Sequence, residues 1–568
     1  MFYSGLMFDK KHNIVLISFL IAAVFCIPFY APTVFAGLDL RFHLSRIDGI
    51  ITAVKDLQFP LAVYPEKNFG FGYASPLFYC DLFLLPAALL YAIHIPLVIV
   101  YKVYVFCIAW IGAASALYAM NEFTDRPWLC FFGAVVYTFS SYHINDFFIR
   151  AALGEAMAFS ILPLFAVISK HFFEEEKNNT LELALFFSCL ALCHLITFAL
   201  TAAVFAVLML IYWKTVFRPK RLLSFFTAVG IGFLLCAFFL VPLLQQLRSQ
   251  KFLFAQNREL FGEEIMYRYN NTLLSALSDY VLVGYYDLEQ NHYFTGLMMV
   301  VTPVLFFLTK KTKPLRKLMM SFTIISLVLL VCTTNLLPLH KISFLQSIQF
   351  TYRFNILIAG LLPFVLVNTL DSLKTKPLRI AVIVMSLYMA VNTGVIYHQL
   401  FTEEDQISNT ALYQELFTGD FYENYNNHYN VAELSSGEYL PATHHMDYEA
   451  LQNGVDLYDT TAYSVSYSRT GTESLLSMNA STDGFAAIPV TWYLGYLAES
   501  IDQDNPVVLP ISSDEYTGRI VIPIQAGEHT YRVHYKGTTV QRLSALCSIG
   551  SLVILLGWMI VRLAKNAQ

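Results

Sequence analysis

Apolar runs of about 16 to 25 residues recur from Ile14 to Val561, and a helix crossing a hydrocarbon core needs roughly 20 such residues. They fall at 14–35, 76–93, 97–119, 127–142, 153–170, 181–196, 197–213, 222–247, 293–309, 317–335, 354–370, 379–398 and 544–563. No single soluble core absorbs so many. Hydrophobic residues make up 57% of the chain and charged ones 14%, whereas soluble domains carry about 25% charged residues. The pattern predicts a mainly α, polytopic transmembrane helical bundle of about 12 to 14 spans, followed by a β-rich domain and one last transmembrane helix. The expected divisions are 1–398, 399–541 and 542–568.

Short basic loops lie next to the runs, at 10–11, 214–221, 310–317, 374–379 and 562–565. The positive-inside rule puts them in the cytoplasm and places 37–75, 143–152, 248–292, 336–353 and 399–541 outside it. The first run has no small-residue cleavage site and reads as an anchor. Thirteen runs with both termini inside conflict in parity, so one run in the crowded stretch 76–119 is expected not to cross as a simple span. Basic residues scattered among short loops give no contiguous face for nucleic acid, which is set aside.

Segment 399–541 holds 20 acidic and 4 basic residues and alternates in the manner of strands. Residues 519–524 and 529–535 read as a hairpin turning at 525–528, and 461–469 and 488–496 as further strands. All nine cysteines lie in or beside apolar runs, so no disulfide is expected in this domain. Cys189 and Cys193 share a helix face and read as packing.

Three stretches carry ionisable groups where the apolar pattern breaks. Beyond the first run lies GLDLRFHLSRIDG (37–49), in which Asp39, His43 and Arg46 would share one face of a helix. The alternative is an amphipathic segment lying in the interface. In 142–155, Arg150 and Glu155 are either a structural ion pair or part of a site, because a carboxylate opening an apolar helix needs a partner. At the start of the run 354–370, Arg353 would either snorkel to headgroups or hold a phosphate with its planar fork. His194 reads as a helix-packing histidine, and Asp81 and Lys102 as buried polar residues without an assigned role.

Taken together, GLDLRFHLSRIDG (37–49), YASPLFY (73–79), IRAALGEAMAFSILPL (149–164), CHLIT (193–197), IQFTYRF (348–354) and YKGTTVQR (535–542) resemble the bacterial YfhO-like membrane proteins. They are equally similar to the set labelled 6-pyruvoyl-tetrahydropterin synthase-related, a label not read here as pterin chemistry. The wider resemblance is to the GT-C glycosyltransferases. Where the family often has Gln-Phe-Pro-Trp-Arg-Phe, this chain has Thr351 and Tyr352 before Arg353. The resemblance implies transfer of a sugar from a polyprenyl-phosphate donor to an extracytoplasmic glycan or lipid acceptor at a bacterial cell membrane. It implies Asp39 and Glu155 as catalytic carboxylates, with Asp39 the base. Arg353, Arg150, Arg46, His43 and Arg41 would face the donor phosphate. A divalent metal is possible but not demanded by any Asp-X-Asp pair in 37–75. Two other classes stand beside this one: a lipid-linked glycan transporter or flippase, and a non-catalytic envelope assembly or sensing protein. Internal repeat symmetry would favour the first, and none is visible.

Overall fold

The fold is that of a computed structural model, which describes residues 10–35, 37–177, 179–256, 262–273, 276, 295–309, 315–402, 406–408, 410–411, 437–443, 454–502 and 505–566. Parts of the expected extracytoplasmic loop 248–292 and much of 399–453 therefore lie outside the described residues. The main helices are α1 (Lys10–Phe25), α2 (Leu40–Lys55), α3 (Leu85–Ala92), α4 (Leu97–Asn121), α5 (Pro127–Thr138), α6 (Leu153–Ile161), α7 (Pro163–Ser169), α8 (Thr180–Cys193), α9 (Leu195–Ile211), α10 (Pro219–Ser249), α11 (Leu297–Leu308), α12 (Arg316–Cys332), α13 (Asn355–Leu370), α14 (Thr375–Thr402) and α15 (Thr539–Asn566).

Among the described residues, six helical stretches are long and apolar enough to cross a membrane: Leu97–Asn121, Leu153–Glu174, Pro219–Ser249, Thr351–Leu370, Thr375–Thr402 and Thr539–Arg562. Shorter apolar helices of 10–17 residues accompany them. The run 76–93 does not form one helix. It divides into 3-10 turns at Ser75–Leu77 and Leu82–Leu84 and the eight-residue α3, because Asp81 in its middle is buried against Arg46. The runs 181–196 and 197–213 separate at His194, whose φ of −158° and ψ of 111° end α8 and start α9.

Two compact units emerge, each assembled from segments distant in sequence. The first comprises Met1–Leu40, Pro96–Gly232 and Phe261–Ala411; the second comprises Arg41–Ile95, Phe233–Leu260 and Leu412–Gln568.

In the first unit α13 is the central element, with every residue from Asn355 to Leu370 buried. A helix apolar all round can only be stable when it is enclosed by neighbours or lipid. Gly360 lets it approach α7's preceding turn, since a Cβ there would lie 2.5 Å from the Leu162 side chain. Small residues at such crossings allow the close packing that replaces the hydrophobic effect inside a bilayer. The opposite case is α14, which exposes Ile380, Ile383, Val384, Leu387 and Val391. In a membrane protein such an apolar stripe meets hydrocarbon. Two-residue strands β1 (Val34–Phe35) and β2 (Gln406–Ile407) pair antiparallel in this unit, Val34 opposite Ile407.

The second unit holds a two-sheet β structure. Its strands are β3 (Asp456–Tyr458), β4 (Ala462–Thr470), β5 (Glu473–Ala480), β6 (Gly484–Thr491), β7 (Tyr496–Ser500), β8 (Val507–Leu509), β9 (Ser512–Ser513), β10 (Arg519–Ile524) and β11 (Gly527–Tyr535). One sheet has the order β3-β6-β10-β9, the other β4-β5-β11-β7-β8. The strands expected at 461–469 and 519–535 form, while 488–496 divides between β6 and β7. The expected hairpin does not form. β10 pairs with β6 and β11 with β5 and β7, so residues 525 and 526 cross from one sheet to the other. The reason lies in the corner's donors: the Tyr531 hydroxyl accepts from Gln525 N and the Asp483 carboxylate from Ala526 N, both at 2.8 Å. Neither Gln525 nor Ala526 favours the positive φ of a two-residue hairpin turn. Apolar side chains of both sheets, among them Leu476, Met478, Ile488, Ile520, Ile522 and Val533, fill the space between them together with Val63, Leu77 and Phe78.

α10 and α15 carry this unit's apolar helices. Pro242 lies inside α10, and one turn before it the Ser548 hydroxyl donates to Leu234 O and accepts from Phe238 N. A side chain inserted in the ladder repairs backbone groups that a helix under strain leaves open.

Candidate functional site

Five sequence-distant side chains converge in the first unit: Asp39, Arg150, Glu155, His194 and Arg353. Their arrangement begins with an irregular backbone. Residues 145–149 form a single π turn, a feature that tends to mark functional positions in helices. Arg150 follows it, and Ala151 then adopts φ +53°, a left-handed conformation costing roughly 1–2 kcal/mol for a residue with a Cβ. The chain so redirected starts α6 at Leu153, with Glu155 in its first turn, where the helix dipole favours a carboxylate.

Asp39 is brought to this corner by the backbone. Leu38 N donates to Ile149 O at 3.3 Å and Asp39 N to Arg150 O at 2.8 Å. Gly37 permits the approach, since a Cβ there would lie 2.8 Å from Ile149 O and 2.9 Å from the Ala151 Cβ.

Glu155 is buried and its oxygens are crowded with donors. Arg353 Nε donates to Oε1 at 2.8 Å, Arg150 Nη2 to the same oxygen at 3.3 Å, and Arg150 Nη1 and the Tyr142 hydroxyl to Oε2, both at 2.8 Å. His194 Nε2 lies 3.9 Å from Oε1. Because His194 Nδ1 accepts from Thr197 N, the ring proton sits on Nε2 and points its positive edge at the carboxylate. A carboxylate accepts about four hydrogen bonds, so little is left for a substrate. Glu155, expected among the catalytic carboxylates, instead holds two guanidiniums in place.

Arg353 is held further by Ile348 O at 2.7 Å and Gln349 Oε1 at 3.1 Å, both from Nη1, and its guanidinium lies 4.8 Å from the Phe350 ring. These contacts direct it inward, which is not a snorkelling geometry. Its Nη2 has no hydrogen-bond partner among the described residues. Arg150 lies over the Tyr352 ring at 5.1 Å, so the departure from the family pattern at 352 keeps an aromatic platform.

Asp39 differs from Glu155. Its side chain is 37% exposed and reaches Arg150 Nη2 only at 4.0 Å. Partial burial raises its carboxyl above the ordinary aspartate range, an effect opposed by Arg150 and Arg353. A carboxylate with a free edge and a raised pKa has the properties of a general base.

The helix predicted to carry Asp39, His43 and Arg46 on one face starts at Leu40, after Asp39. Arg41, His43 and Arg46 belong to the second unit. There Arg46 donates to Asp81 Oδ1 through Nε at 3.0 Å and Nη2 at 2.6 Å, and to Cys80 O at 3.1 Å. Its Nη1 meets His43 Nδ1 at 3.1 Å, the Tyr64 hydroxyl closes on Asp81, and the Tyr79 ring lies 3.9 Å below the guanidinium. Arg46 and His43 are each 1% exposed. Arg46 is spent on Asp81 and is not placed to take a ligand, which also gives Asp81 its role. Lys102 donates to Ala31 O and Thr33 O and thereby ties α4 to the segment before β1.

His194 was not recognisable as part of the site from apolarity. Among the described residues, no group of three or more His, Cys, Asp or Glu side chains is arranged to hold a metal ion.

Residues 75–400 match the family described as 6-pyruvoyl-tetrahydropterin synthase related domain, a membrane protein family. The matched segment includes Arg150, Glu155, His194 and Arg353 and begins after Asp39. The chain is also 27% identical over 264 residues to an uncharacterized protein of Lactococcus lactis subsp. cremoris (strain MG1363), an alignment covering 43% of this chain and 42% of that protein. The chain thus spans less than half the length of that relative. Since the family match covers more than half of the chain and encloses the buried cluster around Glu155, this protein belongs to the 6-pyruvoyl-tetrahydropterin synthase related family of membrane proteins.

Proposed function

We propose that this protein is an integral-membrane glycosyltransferase of GT-C type, with about 12 to 14 spans, at a bacterial cell membrane. It moves a sugar from a polyprenyl-phosphate donor to a glycan or lipid acceptor on the extracytoplasmic side. The observation that carries the reading is the pairing of a partly exposed carboxylate, Asp39, with two guanidiniums that a separate, buried carboxylate already holds in place. Transfer needs both functions at once. As the acceptor oxygen attacks the anomeric carbon its proton passes to Asp39, the bond from that carbon to the phosphate oxygen breaks, and the electron pair leaves on the lipid phosphate. Arg353 Nη2 and Arg150 meet that growing charge. Holding the guanidiniums in advance through Glu155 and His194 avoids reorganisation during the reaction.

The experiment is transfer of a labelled sugar from polyprenyl phosphate to envelope acceptor in membranes with matched protein levels. Asp39→Asn is expected to abolish it while the protein remains folded. Parental turnover in that variant would mean that the base is misassigned, whereas no transfer by the parent protein would return it to the transporter, assembly or sensing classes. Orientation is tested separately, in a background without native cysteines. Leu57→Cys and Tyr463→Cys, both on exposed positions, should react with a membrane-impermeant thiol reagent on intact cells. Reaction only after permeabilisation would reverse the topology.

A further inference from the structure

Asp146, on the π turn, is wholly buried. Its Oδ1 accepts from Arg150 Nη1 at 2.7 Å, and the same nitrogen donates to Glu155 Oε2 at 2.8 Å, so two carboxyl groups meet at one donor. Asp146 Oδ2 is closed to solvent and has no donor among the described residues. The ionisable groups facing Asp146 are Arg150, Glu155, Arg353 and Tyr142. None of them supplies the missing hydrogen: Tyr142 and Arg353 Nε already donate to Glu155. An ionised carboxylate with a bare oxygen, buried beside a second carboxylate, is unfavourable by desolvation and by like-charge repulsion. One proton between the two groups relieves both.

We propose that Asp146 is held as the neutral acid beside Glu155, so that two guanidiniums face one carboxylate. The buried cluster then presents one net positive charge, the complement of a singly charged phosphodiester. Burial and Glu155 raise the Asp146 carboxyl well above the ordinary range, against the pull of Arg150. Asp146 is thus a positioning residue that sets the charge of the cluster. The assignment of the proton is independent of the glycosyltransferase reading, and the match to a phosphodiester rests on it.

The test uses the full chain in lipid nanodiscs. Infrared difference spectra are expected to show a protonated carboxyl band that persists at neutral pH in the parent and is lost in Asp146→Asn, whose amide oxygen can still accept from Arg150. No such band in the parent, or one that survives in Asp146→Asn, would mean an ionised Asp146 and overturn the assignment. Stability supplies a second readout. Because the folded-state pKa is raised, the contribution of Asp146 is full below the ordinary aspartate range and is lost as pH rises through the folded value. The parent should therefore lose ground to Asp146→Asn with increasing pH, and a pH-independent difference would count against the proposal. For the charge itself, the probe is dihexyl phosphate, a singly charged diester. Its binding should weaken about tenfold in Arg353→Gln. Equal binding would remove the phosphodiester match, and the phosphate reading with it, while leaving the proton assignment to the spectra.

Discussion

The molecule holds two buried arginine–carboxylate clusters of opposite character. Around Arg46, one guanidinium meets one carboxylate, Asp81, and Tyr64, His43 and main-chain carbonyls complete the set. Charge and hydrogen bonding close on themselves. Around Glu155, two guanidiniums share one fully used carboxylate, a further carboxylate at Asp39 stands 4.0 Å off with part of its surface exposed, and Arg353 Nη2 is unpartnered among the described residues. A closed buried pair stabilises one arrangement of the chain, whereas a cluster left open on one side has binding capacity to spare. Burial and a short N···O distance do not separate the two cases. The count of unfilled donors and acceptors does.

The strongest way to break this comparison is Glu155→Gln. It removes the shared carboxylate beneath two buried guanidiniums and should cost about 3–5 kcal/mol of stability together with all transfer activity. The thermal midpoint of the purified protein and its level in membranes measure this. A folded Glu155→Gln protein with parental turnover would show that the open cluster does not depend on its centre.

Asp39→Asn should part the two effects. Its exposed, loosely paired carboxylate contributes less than about 1 kcal/mol to stability, yet its loss should lower transfer by about two to four decades. In the closed cluster the balance reverses. Asp81→Asn should destabilise by about 3 kcal/mol, the lower end for breaking a buried pair because Tyr64 and the carbonyls remain. Turnover per folded molecule should stay at the parental level; a specific loss of turnover would make Arg46 a functional residue after all.

The smaller effects sharpen the picture. Arg353→Lys keeps the charge and loses the planar fork, so donor use at limiting concentration should fall about tenfold with the thermal midpoint little changed. The pH profile gives the finest discrimination. Since Asp39 is raised above the ordinary range and must be ionised to accept a proton, kcat/KM should fall as pH drops through that raised value. Arg353 pulls the carboxyl downward, so Arg353→Gln should move this acid limb to higher pH. An unmoved limb would mean that the titrating group is not Asp39.

Membrane residence, the mainly helical architecture, the β-rich segment and the three ionisable stretches were legible in the sequence, because each rests on local composition or short-range period. Spans need only length and apolarity, and a costly charge in an apolar run announces itself. The reading failed where a residue's partner is distant. Residues 519–524 and 529–535 alternate as a hairpin would, but whether two strands pair or part into separate sheets depends on what Asp483 and Tyr531 offer the corner. Asp39 and Arg46 lie seven residues apart and looked like one helix face, yet the helix starts between them. Arg46 turned to Asp81, thirty-five residues on, while Asp39 follows Arg150 through a backbone hydrogen bond. Periodicity tells which residues prefer burial and in what local conformation. Which buried donor meets which acceptor, and so which cluster closes and which stays open, is decided by the packing of segments that the chain brings together only when folded.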